Sequence, residues 1–88
     1  MATRRVTISA HNGIHARPVA ELARLAIAYP HPVIVRTVSG AQADLSSVLA
    51  VMDLALGEGD VVVLETEDAP ASAALLDSMA AVLAPRDR

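Results

Sequence analysis

Few residues in this chain carry reactive side chains. It has three histidines (His11, His15 and His31), no cysteine, Tyr29 as its one Phe, Trp or Tyr, and seven arginines with no lysine. A disulfide framework, a thiolate nucleophile and a Cys-ligated metal are excluded. The informative stretch is Asn12-Gly13-Ile14-His15-Ala16-Arg17-Pro18. Proline suits only the first turn of a helix, so Pro18 predicts a helix start at residue 16 or 17 and leaves His15 at or beside the N-cap. Unpaired backbone N–H groups, here those of Ala16 and Arg17, and the positive end of the helix dipole make such a start an anion site. Arg17 adds a guanidinium fork that matches phosphate oxygens. Gly13 lets the loop turn tightly, and Asn12 is placed to hydrogen-bond the loop or an imidazole nitrogen. The dipole disfavours imidazolium by about 0.3–1 kcal/mol and so favours neutral, nucleophilic His15. A phosphoryl group on its ring would be received by those amides and by Arg17, and phosphoryl transfer depends mainly on such positioning.

Plainer readings stand beside this one. A histidine before a helix is often only a loop residue, and Arg17 could be a solvated charge paired with Glu21 four residues on. His11 and His15 flank a loop and lack a nearby third ligand, so no metal is expected. His31, between two prolines, reads as a solvated loop residue. Glu65, Glu67 and Asp68 read as an exposed strand end without the paired-carboxylate geometry of a hydrolase.

The elements that must position the site follow from periodicity. Val6, Ile8 and Ala10 alternate with Thr7 and Ser9, predicting a first strand that ends in a turn at His11-Asn12-Gly13. From Ala16 the period becomes helical, with Val19, Leu22, Ala23, Ala26 and Ile27 on one stripe, as far as Tyr29. Pro30 and Pro32 stop that helix. Residues 32–38 are β-branched enough for a strand, and Ser39-Gly40 turns the chain into a short strand over 41–45. Ser46 or Ser47 would cap a short helix carrying Val48, Leu49, Val51 and Met52 and ending by Gly57. Residues 60–66 read as a central strand. Pro70 is expected in the first turn of a last helix, with Leu75, Leu76, Met79, Val82 and Leu83 buried and Pro85 ending it. The order β-α-β-β-α-β-α suits an α+β fold, one antiparallel sheet with helices on a single face.

At 88 residues the chain is one domain. It is 53% hydrophobic and 19% charged, a globular and not a disordered composition. A net charge of −3 and the lack of stacking aromatics argue against nucleic acid as a partner. No apolar run reaches the roughly 18 residues of a membrane span, and no signal peptide is evident, so neither membrane insertion nor export is expected. A domain this small buries only about 60–65% of its unfolded surface, which points to a surface site and not a deep cleft. Arg17 and Arg24, seven apart, share a helix face with Ala16 and Ala20. Leu49 and Met52 either extend that face as an apolar docking patch or belong to the core.

Gly13-Ile14-His15-Ala16-Arg17-Pro18 after a strand resembles the phosphorylation-site signature of the HPr family, the histidine phosphocarriers of the bacterial phosphoenolpyruvate:sugar phosphotransferase system (PTS). The resemblance extends over essentially residues 1–88 and includes the segments 45–52 and 57–62. It implies an open-faced β-sandwich, with a four-stranded antiparallel sheet and three helices. It implies that enzyme I phosphorylates His15 at Nδ1, that Arg17 stabilises the phosphate, and that EIIA domains take the group onward for sugar uptake. The expected protein is a cytoplasmic, monomeric carrier without a cofactor and not an enzyme in its own right. The resemblance also places a regulatory serine at Ser47, a target for a serine kinase/phosphorylase. Ser46 stands where the family often has Lys, and Ile27 and Ala50 stand at other such places, so docking by charge is expected to be weaker. Two further readings stay open, an HPr-like paralogue in a regulatory, for example nitrogen-related, phosphorelay and a non-catalytic module that binds an anion or metabolite at the helix start.

Overall fold

A computed structural model describes residues 1–9 and 16–85, with Ala16 described by its backbone alone. The elements are β1 (Ala2–Thr7), α1 (Ala16–Ile27), β2 (Val33–Thr37), β3 (Gln42–Asp44), α2 (Val48–Asp53), β4 (Val61–Thr66) and α3 (Ser72–Leu83). All pairings are antiparallel, in the order β1-β4-β2-β3. β4 therefore lies between β1 and β2, and the helical connections β1-α1-β2 and β3-α2-β4 each pass over a neighbouring strand.

Alternation along the strands separates two faces. Val6, Val33, Val35, Val62 and Leu64 turn toward the helices, where they meet Val19, Leu22, Val51, Leu76, Met79 and Leu83 in one buried cluster. Ile34, Val61 and Val63 lie half-buried on the opposite, open face. There Arg36 grips Glu65 with two hydrogen bonds, Nε to Oε2 at 3.1 Å and Nη2 to Oε1 at 2.9 Å. The architecture is the expected α+β open-faced sandwich.

The boundaries differ from the periodicity in instructive places. β1 begins at Ala2, four residues before the predicted Val6. Arg4 faces the helix layer in phase with Val6, but β1 is an edge strand, so its long stem carries the guanidinium out to Asp77 of α3. Ile8, 1% exposed, lies just past the strand, where its N–H reaches the Asp60 carbonyl at 2.8 Å and its own carbonyl receives Gly59 N–H at 2.7 Å. Gly59 takes that tight turn at φ +93°. Ala10 and the turn at 11–13 lie outside the described residues.

α1 stops at Ile27, and the chain tightens through a bond from Tyr29 N–H to the Ala26 carbonyl at 3.2 Å. Ile27 is not on the buried stripe but 71% exposed. It stands about 80° around the helix from Val19, beyond the shoulder of the stripe. Pro70 also falls outside its predicted helix. It sits in the preceding turn, closed by Ser72 N–H and Oγ donating to the Ala69 carbonyl at 3.0 and 2.9 Å.

Candidate functional site

α1 places the site. Its first residue is Ala16, so Pro18 is the third helical residue and stands where its missing N–H breaks no helical bond. Because α1 follows β1, its first turn lies at the end of the sheet where β1 and β2 finish and β4 starts. Arg17 and Ala20 are exposed there. Asn12, Gly13 and His15 lie outside the described residues, as does the side chain of Ala16.

The Glu21 carboxylate is engaged by Arg24 and not by Arg17. Arg24 Nε donates to Glu21 Oε1 at 3.2 Å, and Nη2 contacts Oε2 as well. The hydrogen bond from Arg24, reinforced by its charge, holds Glu21 below the usual carboxylate range. The same bond, with the Glu21 charge, raises Arg24. Arg17 makes no ion pair among the described residues. The two arginines of this helix face thus differ in what they offer an anion. One side chain has its charge countered locally, and the other has no carboxylate partner within the described structure.

α2 resolves two open points. Ser47 is its N-cap, with Oγ accepting from Ala50 N–H at 3.2 Å. Ser46 is not the cap, because its Oγ donates to Asp44 Oδ1 at 2.7 Å. Of the apolar residues on α2, Val51 alone is buried, whereas Leu49 is 76% and Met52 40% exposed. Six residues make fewer than two turns, so one anchoring side chain leaves the rest of the helix outward. Val48, 39% exposed, joins that surface. Spacing alone did not separate it from Val51, which shares its residue type. Ser47 lies at the far end of the sheet from the start of α1, because Leu45 N–H bonds the Val33 carbonyl, at the strand into which α1 leads.

Elsewhere the reactive side chains are dispersed. Tyr29 and His31 meet edge to face with ring centres 5.7 Å apart, and His31 Nδ1 is 3.6 Å from Glu67 Oε1. Among the described residues, no three His, Asp or Glu side chains converge as a metal site, and no helix is long and apolar enough to cross a membrane.

Comparison with known proteins gives this geometry its context. Residues 2–84 match a family model described as the PTS HPr component phosphorylation site. The phosphocarrier protein HPr of Streptomyces coelicolor is 37% identical over 75 residues, covering 85% of this chain and 81% of that protein. HPr of Cupriavidus necator is 38% identical over 86 residues, covering 98% and 94%. The crystal structure of HPr from Bacillus anthracis superposes with a TM-score of 0.82 at 27% identity, covering 93% of this chain and 95% of that one. A helix start with Pro18 in its first turn, a four-stranded sheet open on one face and a match over 2–84 place the chain in the HPr family, the phosphocarrier proteins of the PTS.

Proposed function

We propose that His15 is the residue that carries the phosphoryl group. The observation that carries this reading is the start of α1 at Ala16, directly after His15, with Pro18 in the first turn and Arg17 exposed. Neutral His15 attacks phosphorus with a ring-nitrogen lone pair, Nδ1 by the family's pattern. The N–P bond forms as the bond from phosphorus to the donor breaks, and that electron pair leaves with the donor. The first amides of α1, at Ala16 and Arg17, and the Arg17 guanidinium receive the charge of the bound phosphate. Transfer onward reverses the step on an acceptor nucleophile. Asn12 and Gly13 hold the loop, and Pro18 fixes where the helix begins.

In this reading enzyme I is the donor and EIIA domains are the acceptors, with the carrier acting as a cytoplasmic monomer. The described elements share one core, which supports taking residues 1–88 as one domain. Docking uses Ala20 and Arg24 of α1 with Leu49 and Met52 of α2, whose exposure supports it. Phosphorylation of Ser47 by a serine kinase would put about two negative charges beside Leu49 and weaken an acidic partner's grip.

Incubation with enzyme I and phosphoenolpyruvate tests the proposal. Acid-labile phosphate is expected on His15, and none on the His15→Ala variant. Unlabelled wild type, or label that survives that substitution, would overturn it.

A further inference from the structure

β1 is an outer strand, and its register with β4 decides which of its backbone groups are left over. Ile8 N–H donates to the Asp60 carbonyl at 2.8 Å, in step with the pairs Thr7↔Val61 and Val6↔Val62. Residues 2, 4, 6 and 8 therefore bond inward, and Thr3, Arg5 and Thr7 turn their N–H and C=O groups outward. The open edge ends at Ser9, whose N–H donates to the Leu83 carbonyl of α3 at 3.0 Å. Arg5 is exposed on the open face of the sheet and makes no ion pair among the described residues.

A groove runs beside this edge, between β1 and α3. One part, about 630 Å³, is lined by residues 4–7 and by Asp77, Ala80, Ala81 and Ala84. A second part, about 290 Å³, continues toward Ala2 and Leu76. The ion pair between Arg4 and Asp77 divides the two.

We propose that the β1 edge and its groove against α3 form a docking site for an extended, acidic segment of a partner protein, which adds to the sheet as a fifth strand. Strand addition needs a row of unpaired backbone groups and pockets for alternate side chains, and among the described residues this edge has both. The added residue opposite Arg5 lies on the open face, where a carboxylate pairs across the strands with a guanidinium that has no ion-pair partner among the described residues. Its two neighbours point to the helix side, into space left by Ala80, Ala81 and Ala84. Those two positions are apolar, because the space is walled by the side chains of Ala80, Ala81 and Ala84 and the groove's own charges, Arg4 and Asp77, are already paired with each other. A second copy of this chain fits less well. In the antiparallel register that matches the outward groups of Thr3, Arg5 and Thr7 on two β1 strands, Arg5 meets Arg5. The surface uses no residue of α1 or α2, so the inference stands apart from the phosphoryl relay.

The test is a titration of the isotope-labelled full chain with a blocked peptide, Thr-Val-Glu-Val-Thr, followed by NMR. Saturable shifts are expected at Thr3, Arg5, Thr7 and residues 80–84, with slowed hydrogen exchange of the Arg5 and Thr7 amides. Arg5→Glu should lower the affinity at least tenfold for this peptide and regain binding to Thr-Val-Lys-Val-Thr, which also shows that the variant is folded. Equal binding of both peptides to the wild type, shifts confined to α1 and α2, or no saturation at millimolar peptide would overturn the proposal. So would a dimer in sedimentation without peptide whose contact maps to β1, which would assign the edge to a second copy.

Discussion

Two neighbouring serines show how one hydroxyl acquires a structural role and the next does not. Ser47 Oγ satisfies the Ala50 N–H, one of the four unpaired donors at the start of α2, whereas Ser46 Oγ binds the half-buried Asp44 carboxylate. Ser47→Ala is expected to lose about 1 kcal/mol of stability, and Ser46→Ala less than about 0.5 kcal/mol. Thermal unfolding of the pair checks this, since about 1 kcal/mol shifts the midpoint of a domain this size by roughly 4–8 °C. Arg36 and Glu65 give a residue-scale expectation in pH. The hydrogen bond from Arg36, aided by its charge, holds Glu65 below the usual carboxylate range, and Arg36 is raised in turn and stays protonated throughout. A carboxylate with a depressed folded-state pKa stabilises fully above its unfolded value, about 4.3, and loses that contribution as pH falls through the lower folded value. Urea midpoints of wild type and Glu65→Gln should differ by a constant amount from pH 8 to about pH 5 and converge in more acid solution. A gap unchanged at low pH would show that the pair is not its source.

At the scale of elements, α2 is held by one buried side chain, Val51, and by its Ser47 cap. Leu49 is 76% exposed, so Leu49→Ser should change stability by less than about 0.5 kcal/mol. The same change should slow phosphoryl exchange with the carrier's partners if α2 is part of the docking face, which stopped-flow transfer kinetics would measure against an unchanged urea midpoint. Periodicity reads this element only in part. It finds the helix and its cap, but in fewer than two turns the burial of Val51 and the exposure of Val48 depend on where α2 sits against α1, which is tertiary information. The start of α1 is legible because Pro18 imposes it by covalent geometry. β1 is hidden in the opposite way. Arg4 and Arg5 interrupt the apolar alternation, yet both are tolerated in an edge strand, Arg4 reaching Asp77 and Arg5 facing solvent. Of the candidate site, the chemical types and spacing of His15, Arg17 and Pro18 are local and readable. The bonding of Glu21 to Arg24, three residues on, in place of Arg17, four residues back, depends on rotamers that spacing does not specify.

The whole molecule depends on a strand that arrives late in the sequence. β4 pairs with β1 as far out as Ala2↔Thr66 and with β2 from Val33↔Thr66 to Thr37↔Val62, so it joins the first strand to β2 and β3 in one sheet. Leu64 sits in the middle of β4, paired with Arg4 on one side and Val35 on the other, and is 0% exposed among the helix-facing side chains. Leu64→Ala removes apolar contacts and leaves a cavity bounded by a sheet that cannot close without breaking its ladders. Such changes cost about 2–5 kcal/mol, against a total of about 5–15 kcal/mol for a domain, and a small domain has little surplus. Because β4 is bonded on both sides, no strand pair involving β1 survives its loss, and unfolding should stay cooperative. The urea midpoint of Leu64→Ala should fall steeply with its slope unchanged, and probes in β1 and α3 should lose signal together. Val63→Ala, one residue along but on the open face and half-buried, should cost clearly less. Two separate transitions in Leu64→Ala, one for β1 with α3 and one for the remainder, would show instead that the sheet is two independent halves and that β4 does not unify it.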